Sequence, residues 1–509
     1  MEETIKNLQK EILDLKTKLK NISTGFNGNL DLLSEAKIAQ IPEGSNNAKD
    51  IKKLIESETL LDFQPQLNTS SYVNVMLEKE EEDVALMGLK VNLADQTVYP
   101  QSYKIHDRLV NMIAQLWNCP EPDDFSEYGV YAGAGTVGST EACLLAGLAL
   151  KFRWKEWYKS TYKNNTVKQP NIVISSCYQA AWEKLFKYME IDCRYIKPSV
   201  KDFTIKAEDI EQYIDDHTIG VICILGNHYG GQYDPVEDIN SEINRINSIN
   251  KFQVGIHVDA ASGGFIAPFQ ENMPAWDFRL NNVLSISSSG HKYGESSCGT
   301  GWIIWRQRKN LSEHVAISVT YLGGKADSYT LNFSRPASGI YVQYYKFLRY
   351  GISGYKNCCD SMMKHADMIR EMLKKMQYQN KNRFIILDNG SNNCLPVVTA
   401  MLNPECLFDY DDIDLQHALS QHHWYVSAYK MSFKSPIIEE LTSLFKDAEQ
   451  EQTMFRIVVK SNITYNMIEH LISSFDKALV FLDNINFKSH VNFDSSKLRH
   501  KDQVVTNHC

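Results

Sequence analysis

The sequence predicts an α/β fold built on a mainly parallel sheet covered by helices. Two observations carry this. From about residue 100, short apolar runs alternate with longer amphipathic stretches, the pattern of strands joined by crossover helices. After about residue 340 a long helical pattern begins, followed by fresh strands and helices, which predicts a small C-terminal α+β domain. Composition agrees. Of 509 residues, 43% are hydrophobic and 23% charged, enough to build a sizeable core and unlike disordered or fibrous chains.

The elements follow in order. Ile5, Leu8, Ile12, Leu15, Leu19 and Ile22 alternate in spacings of three and four, an a/d seam of under three heptads. It predicts either an oligomerising helix or an amphipathic helix lying on its own domain. A Gly, Asn and Ser-rich stretch at residues 21–30 ends it. Asn171 to Ile174, Ile219 to Leu225, Val254 to Val258, Val283 to Ile286 and Trp302 to Trp305 read as buried strands, with helical stretches such as Glu208 to Tyr213 and Val236 to Ile249 between them. Phe384 to Leu387, Leu395 to Met401 and Phe455 to Val459 supply strands of the small domain. The expected divisions are residues 1–66, 67–345, 346–490 and a polar tail at 491–509.

Charge and cysteine usage exclude several classes. Lys and Arg number 53 against 62 Asp and Glu, a net charge of −9, which argues against a nucleic-acid partner. No apolar run approaches a membrane span, and the charged N-terminus lacks a signal core. Eleven cysteines without a CxxC pair suit neither a disulfide framework nor a zinc site, so the reducing cytoplasm is the expected location and no metal is expected.

Three motifs carry chemistry. Ser287-Ser288-Ser289-Gly290-His291-Lys292-Tyr293-Gly294 presents a lysine on a Ser/Gly loop after a strand, the setting of a Schiff-base lysine. His257-Val258-Asp259-Ala260-Ala261-Ser262 puts a carboxylate at a strand's C-terminal end, where ligands collect in open α/β sheets. His257 itself reads as a hydrogen-bonded core histidine. Gly133 to Ala142 runs small and hydroxyl residues into a helix start, which offers either an anion site or a plain N-cap. Each motif alone has a bland explanation. Together they supply what pyridoxal 5'-phosphate needs: a phosphate site, an acid for the pyridine nitrogen and a lysine for the aldehyde.

With these residues in view, the chain resembles the glutamate decarboxylases of bacteria and plants, within the fold-type I pyridoxal-phosphate decarboxylases. The likeness spans about Ile38 to His490. It rests on Tyr99-Pro100-Gln101-Ser102, Gly138 to Cys143, His257 to Phe269, Gly290-His291-Lys292, Gly301-Trp302, Tyr321 to Gly324, Asn332 to Pro336 and Phe455-Arg456-Ile457. The resemblance implies a seven-stranded-type sheet in the large domain. It implies α-decarboxylation of L-glutamate to 4-aminobutyrate and CO2.

By matching position, it implies roles for single residues. Lys292 matches the cofactor lysine and Asp259 the partner of the pyridine nitrogen. Ala261 would pack under the ring, and Gln179 would cover its other face. Ser139, Thr140, Ser289 and His291 match phosphate contacts. Ser334 matches one supplied by a second subunit, so a homodimer with shared sites is expected. Arg456 matches the clamp for the α-carboxylate. Ser71, Tyr72, Asn92 and Asp95 fall where the distal carboxylate is recognised.

The chain also departs from the bacterial pattern. Ser71 and Tyr72 stand where those enzymes have Thr and Phe. His228 replaces a Thr beside the cofactor and is a candidate to hydrogen-bond it or to meet a substrate carboxylate. Gly294 to Cys298 replaces a more apolar stretch. Asn486 to His490 resembles the end of the bacterial chains, and the tail beyond lacks a basic, Trp-containing helix, so calmodulin is not an expected partner. The alternatives are another amino acid (aspartate, an aromatic or a cysteine-derived one) or an inactive partner of the same fold.

Overall fold

The computed structural model describes residues 10–13, 41, 44–162, 169–311, 317–319, 326–390 and 393–485. Of the N-terminal seam only Ile12 falls among them. Tyr321 to Gly324 and Asn486 to Cys509 lie outside the described residues. The chain divides into two compact units, Met1–Gln64 and Pro65–Cys509, with the boundary two residues before the expected one. In the first unit, helix α1 (Ala48–Thr59) starts where Asn47 Oδ1 accepts from the Lys49 amide at 2.9 Å, an Asx N-cap.

The second unit opens with α2 (Lys79–Gly88) and α3 (Pro100–Leu116), the latter with proline at its first position. Its main sheet has seven strands: β1 (Gly133–Val137), β2 (Asn171–Ser175), β3 (Asp192–Ile196), β4 (Thr218–Ile224), β5 (Gly255–Asp259), β6 (Val283–Ser288) and β7 (Thr300–Trp305). Their spatial order is β1-β7-β6-β5-β4-β2-β3. Only β7 runs against its neighbours. Strands β2, β4, β5, β6 and β7 are buried along their whole length, as the continuous Ile/Val runs require. Helices α4 (Gly138–Tyr162), α5 (Ala180–Met189) and α6 (Val236–Asn250) connect or cover the strands.

One local expectation needs correction, and two edge strands carried no expectation. Gly133 to Val137 is the edge strand β1, which leads into the helix start at Gly138; small residues there let β1 lie flat against β7. Asp192 to Ile196, too polar for the apolar pattern, is the opposite edge strand β3. Glu208 to Tyr213 forms two 3₁₀ turns around Ile210 and not a helix.

Helix α7 (Ser338–Lys375) bends at Gly351 (φ 59°, ψ −175°) and runs through the expected 345/346 boundary, so one element belongs to both parts. A four-stranded antiparallel sheet follows: β8 (Phe384–Ile386), β9 (Val397–Leu402), β10 (Ser427–Lys430) and β11 (Thr453–Val458), in the order β8-β9-β11-β10. Helices α8 (Asp412–Ser420) and α9 (Tyr465–Asn484) accompany it. Apolar side chains of both parts share one core, which includes Val258, Ile286, Phe455 and Leu471.

Candidate active site

The parallel register brings the chemistry to one edge of the main sheet. Asp259 ends β5 opposite Ile224 of β4 and Ser287 of β6. The turns after these strands therefore emerge side by side: Gly226–Gly231, Ala260–Gly264 and Ser289–Glu295. The start of α4 joins them because Val137 pairs with Thr300, where β7 begins. This is the carboxyl edge where an open α/β sheet collects ligands.

Asp259 is nearly buried. Its Oδ2 accepts from Trp182 Nε1 at 2.7 Å and its Oδ1 from the Ala261 amide at 3.1 Å. Two neutral donors orient the carboxylate. Behind it, His257 is fully buried between Ser285 Oγ (2.8 Å) and Ser287 Oγ (3.0 Å). Burial pulls its pKa down to about 3, so it is a neutral packing group. Trp182 carries no role in the sequence reading, although it stands in the motif that contains Gln179. Gln179 caps α5, its Oε1 accepting from the Ala181 amide at 2.8 Å.

Ser289 and His291 bracket a small polar cradle. Ser289 donates its amide to Ala261 O (3.1 Å), while its buried Oγ has no hydrogen-bond partner among the described residues. Burial lowers the His291 pKa to about 4, and the neutral ring donates Nδ1–H to Thr300 O at 2.7 Å. Across from it Gly138 (φ +71°) turns the chain from β1 into α4, whose first residues include Ser139 and Thr140. A side chain on Gly138 would stand 3.5 Å from the His291 ring, and one on Gly301 would strike the Gly138 carbonyl carbon at 2.3 Å. Only glycine fits both places. An orphan buried hydroxyl beside a helix start fits a phosphate. A buried aspartate at a strand end and a lysine on the next turn fit a pyridine ring that carries an aldehyde.

Lys292 Nζ donates to Ser262 Oγ at 3.3 Å and lies 5.3 Å from the centre of the Tyr72 ring. The Arg456 guanidinium packs on the same ring at 4.8 Å. Arg456 is 1% exposed, yet no carboxylate pairs with it among the described residues. Its Nη1 donates to His228 O, its Nη2 to Ser70 O at 2.5 Å, and its Nε has no partner. A buried guanidinium held by neutral groups and by no carboxylate among the described residues keeps its charge for an incoming anion. Tyr72 donates its hydroxyl to the same His228 carbonyl at 3.1 Å, and burial lifts its pKa to about 12. The His228 ring lies among Tyr72, Tyr229 and Tyr429. Burial first, then the charges of Arg456 and Lys292, hold its pKa well below the ordinary value, so it is neutral. Tyr429 reaches the site from β10, and no sequence signal marked it.

Ser71 Oγ accepts from the Val73 amide at 3.2 Å, which shapes the segment that carries Tyr72. Asn92, Asp95 and Ser334 form a different group. Asn92 Nδ2 donates to the exposed Ser334 Oγ at 3.3 Å, its Oδ1 accepts from the Ala94 and Arg335 amides, and Asp95 Oδ1 accepts from the Val98 amide. Within one chain these three are bonded to each other's segments and not to the Lys292 turn.

Known proteins resemble this chain over most of its length. Residues 50–395 match the conserved domain of pyridoxal-dependent decarboxylases. The chain is 34% identical over 438 residues to glutamate decarboxylase beta of Listeria monocytogenes, covering 86% of this chain and 89% of that one. It is 33% identical over 446 residues to glutamate decarboxylase of Petunia hybrida, covering 88% and 83%. The structure of Lactobacillus brevis glutamate decarboxylase superposes with a TM-score of 0.79 at 33% identity, over 88% of this chain and 96% of that one. A sphingosine-1-phosphate lyase from Burkholderia pseudomallei, at 16% identity and TM-score 0.68 over 91% and 97%, shares the fold. The chain belongs to the pyridoxal-dependent decarboxylase family.

Proposed function

We propose that the chain removes the α-carboxylate of L-glutamate, giving 4-aminobutyrate and CO2. The observation that carries this is Arg456: a buried guanidinium with no ion pair among the described residues, packed, like the Lys292 amine, against the Tyr72 ring. An amino acid presents an amine and a carboxylate on one carbon, and these two groups suit it. The glutamate decarboxylases at 33–34% identity support the choice of substrate.

Pyridoxal phosphate, when bound, supplies the electron sink for the pair left when Cα loses CO2. Ser139, Thr140, Ser289 and His291 would hold its phosphate. Asp259, aimed by Trp182, would keep its ring nitrogen protonated. Ala261 and Gln179 would flank the ring. Lys292 would carry the cofactor between turnovers and return a proton to Cα. Arg456 would hold the α-carboxylate of the substrate through its guanidinium. Ser71 and Tyr72 face the distal carboxylate, and neutral His228 offers a hydrogen bond without repelling Arg456.

The Asn92–Ser334 bond supports a homodimer in which Asn92, Asp95 and Ser334 reach the partner's site together. Exposed Leu86, Met87, Leu89 and Leu331 supply apolar surface for such an interface. The large domain would end within α7 and the small one near residue 490. No described helix is long and apolar enough to cross a membrane, which suits a cytoplasmic enzyme.

The test is a visible absorption spectrum of the purified chain, then CO2 release on adding L-glutamate. A yellow protein that forms 4-aminobutyrate is the expected result. A yellow protein that acts on another amino acid and not on glutamate would overturn the substrate. A colourless one that cannot be loaded would overturn the cofactor site.

A further inference from the structure

Three residues beyond Lys292 the chain places Glu295, a nearly buried carboxyl with left-handed backbone (φ 60°). A non-glycine residue is held in that conformation by its surroundings. Its amide donates to Lys292 O at 3.0 Å and closes the lysine turn. Its Oε2 accepts from Ser461 Oγ at 2.9 Å, five residues past Arg456. Its carbonyl accepts from Asn74 Nδ2 at 2.9 Å, while the Asn74 amide donates to His291 O at 2.8 Å. Lys460, also buried, donates from Nζ to Val73 O at 3.2 Å. Three segments meet here: the turn with Lys292, the strand end after Arg456, and the segment with Tyr72.

We propose that Glu295 is a positioning residue that locks the Lys292 turn to the Arg456 strand through Ser461 and to the Tyr72 segment through Asn74. The proposal rests on the reading of Lys292 and Arg456 given above. The lock fixes the spacing of the amine site and the carboxylate site, which a substrate with both groups on one carbon must match.

The lock is also sensitive to protonation. Burial raises the Glu295 pKa to about 7 and lowers that of Lys460 to about 8. Lys346, paired with Glu81 at 2.8 Å, faces the carboxyl from α7 and α2. Tyr350, Tyr355 and Cys358 of α7 and Tyr293 of the lysine turn complete its titratable neighbours. Above pH of about 7 the carboxyl ionises inside this shell, and burial opposes that charge.

The test compares wild type with Glu295→Leu, Glu295→Gln and Ser461→Ala. The readouts are cofactor affinity from the visible band and the split between kcat and KM. Glu295→Leu and Ser461→Ala are expected to weaken cofactor binding by about tenfold and to raise KM, as loss of a buried hydrogen bond implies. Glu295→Gln keeps an acceptor for Ser461, so at about pH 6 its affinity stays within about threefold of wild type. From about pH 6 to about pH 8 the wild-type affinity falls further than that of Glu295→Gln, which has no proton to lose there. Ser461→Ala within about twofold of wild type, with parallel pH curves for wild type and Glu295→Gln, would overturn the proposal even if Glu295→Leu does not fold. A Lys292→Ala variant that still holds the cofactor covalently would instead overturn the underlying reading of the lysine.

Discussion

At the scale of single residues, the site depends on groups whose charge is set by what surrounds them. Arg456 keeps its charge for a substrate because its described partners are neutral carbonyls and tyrosines. Replacing it with lysine shortens the reach and removes the planar fork. Arg456→Lys should lower kcat/KM at least about 100-fold with little change in the visible spectrum of the loaded protein. Tyr72→Phe keeps the ring that Lys292 and Arg456 both contact but loses the bond to His228 O. The expected cost is about 1 kcal/mol of stability by chemical denaturation, with KM affected more than kcat.

At the scale of elements, α5 and α8 each bring one polar side chain into a buried hydrogen bond. Helix α5 delivers Trp182 to Asp259, and Trp182→Phe preserves the packing while removing the donor. The cofactor's dissociation constant should rise about tenfold, measured by titrating the visible band. At the start of α8, Asp412 is buried, accepting from the Leu402 amide at 2.9 Å and Thr453 Oγ1 at 2.7 Å. Burial raises its pKa to about 7. The native state therefore binds a proton more tightly than the unfolded chain. The stability this contributes is complete below the ordinary carboxyl range and is lost as pH rises through about 7. Asp234 and Glu295, also raised to about 7, act in the same direction. His257 and His291, lowered to about 3 and about 4, act oppositely: they add stability as pH rises towards the ordinary histidine range. The two sets offset each other at mildly acid pH, so the loss appears above it. The melting temperature should fall between about pH 6 and about pH 8, and Asp412→Asn should shrink that fall, by roughly 1–3 kcal/mol of unfolding free energy.

At the scale of the whole molecule, the question is whether one chain makes a complete site. Asn92 and Ser334 touch each other and not the Lys292 turn. If a partner supplies them, two inactive variants should complement. Mixing Lys292→Ala with Ser334→Glu and allowing subunits to exchange should restore about one quarter of wild-type activity, since half of the dimers form and each has one intact site. No recovery, with exchange verified by mass, would mean that each chain works alone.

The sequence by itself determined the buried centre of the sheet and the residues next to its chemistry. Continuous Ile/Val runs betray β4, β5 and β6 because both faces are covered, and Asp259 and Lys292 follow directly on those runs. Edge strands β1 and β3 escaped because one is made of small residues and the other of polar ones, so pairing and not hydrophobicity holds them. Tertiary structure alone decided which distant groups meet. Tyr429, Ser461 and Trp182 come from elements far along the chain. Their contacts with His228, Glu295 and Asp259 exist because strands and helices from both parts converge on one sheet edge. Local pattern reports the burial of a segment; it holds no record of the partner across a loop of arbitrary length.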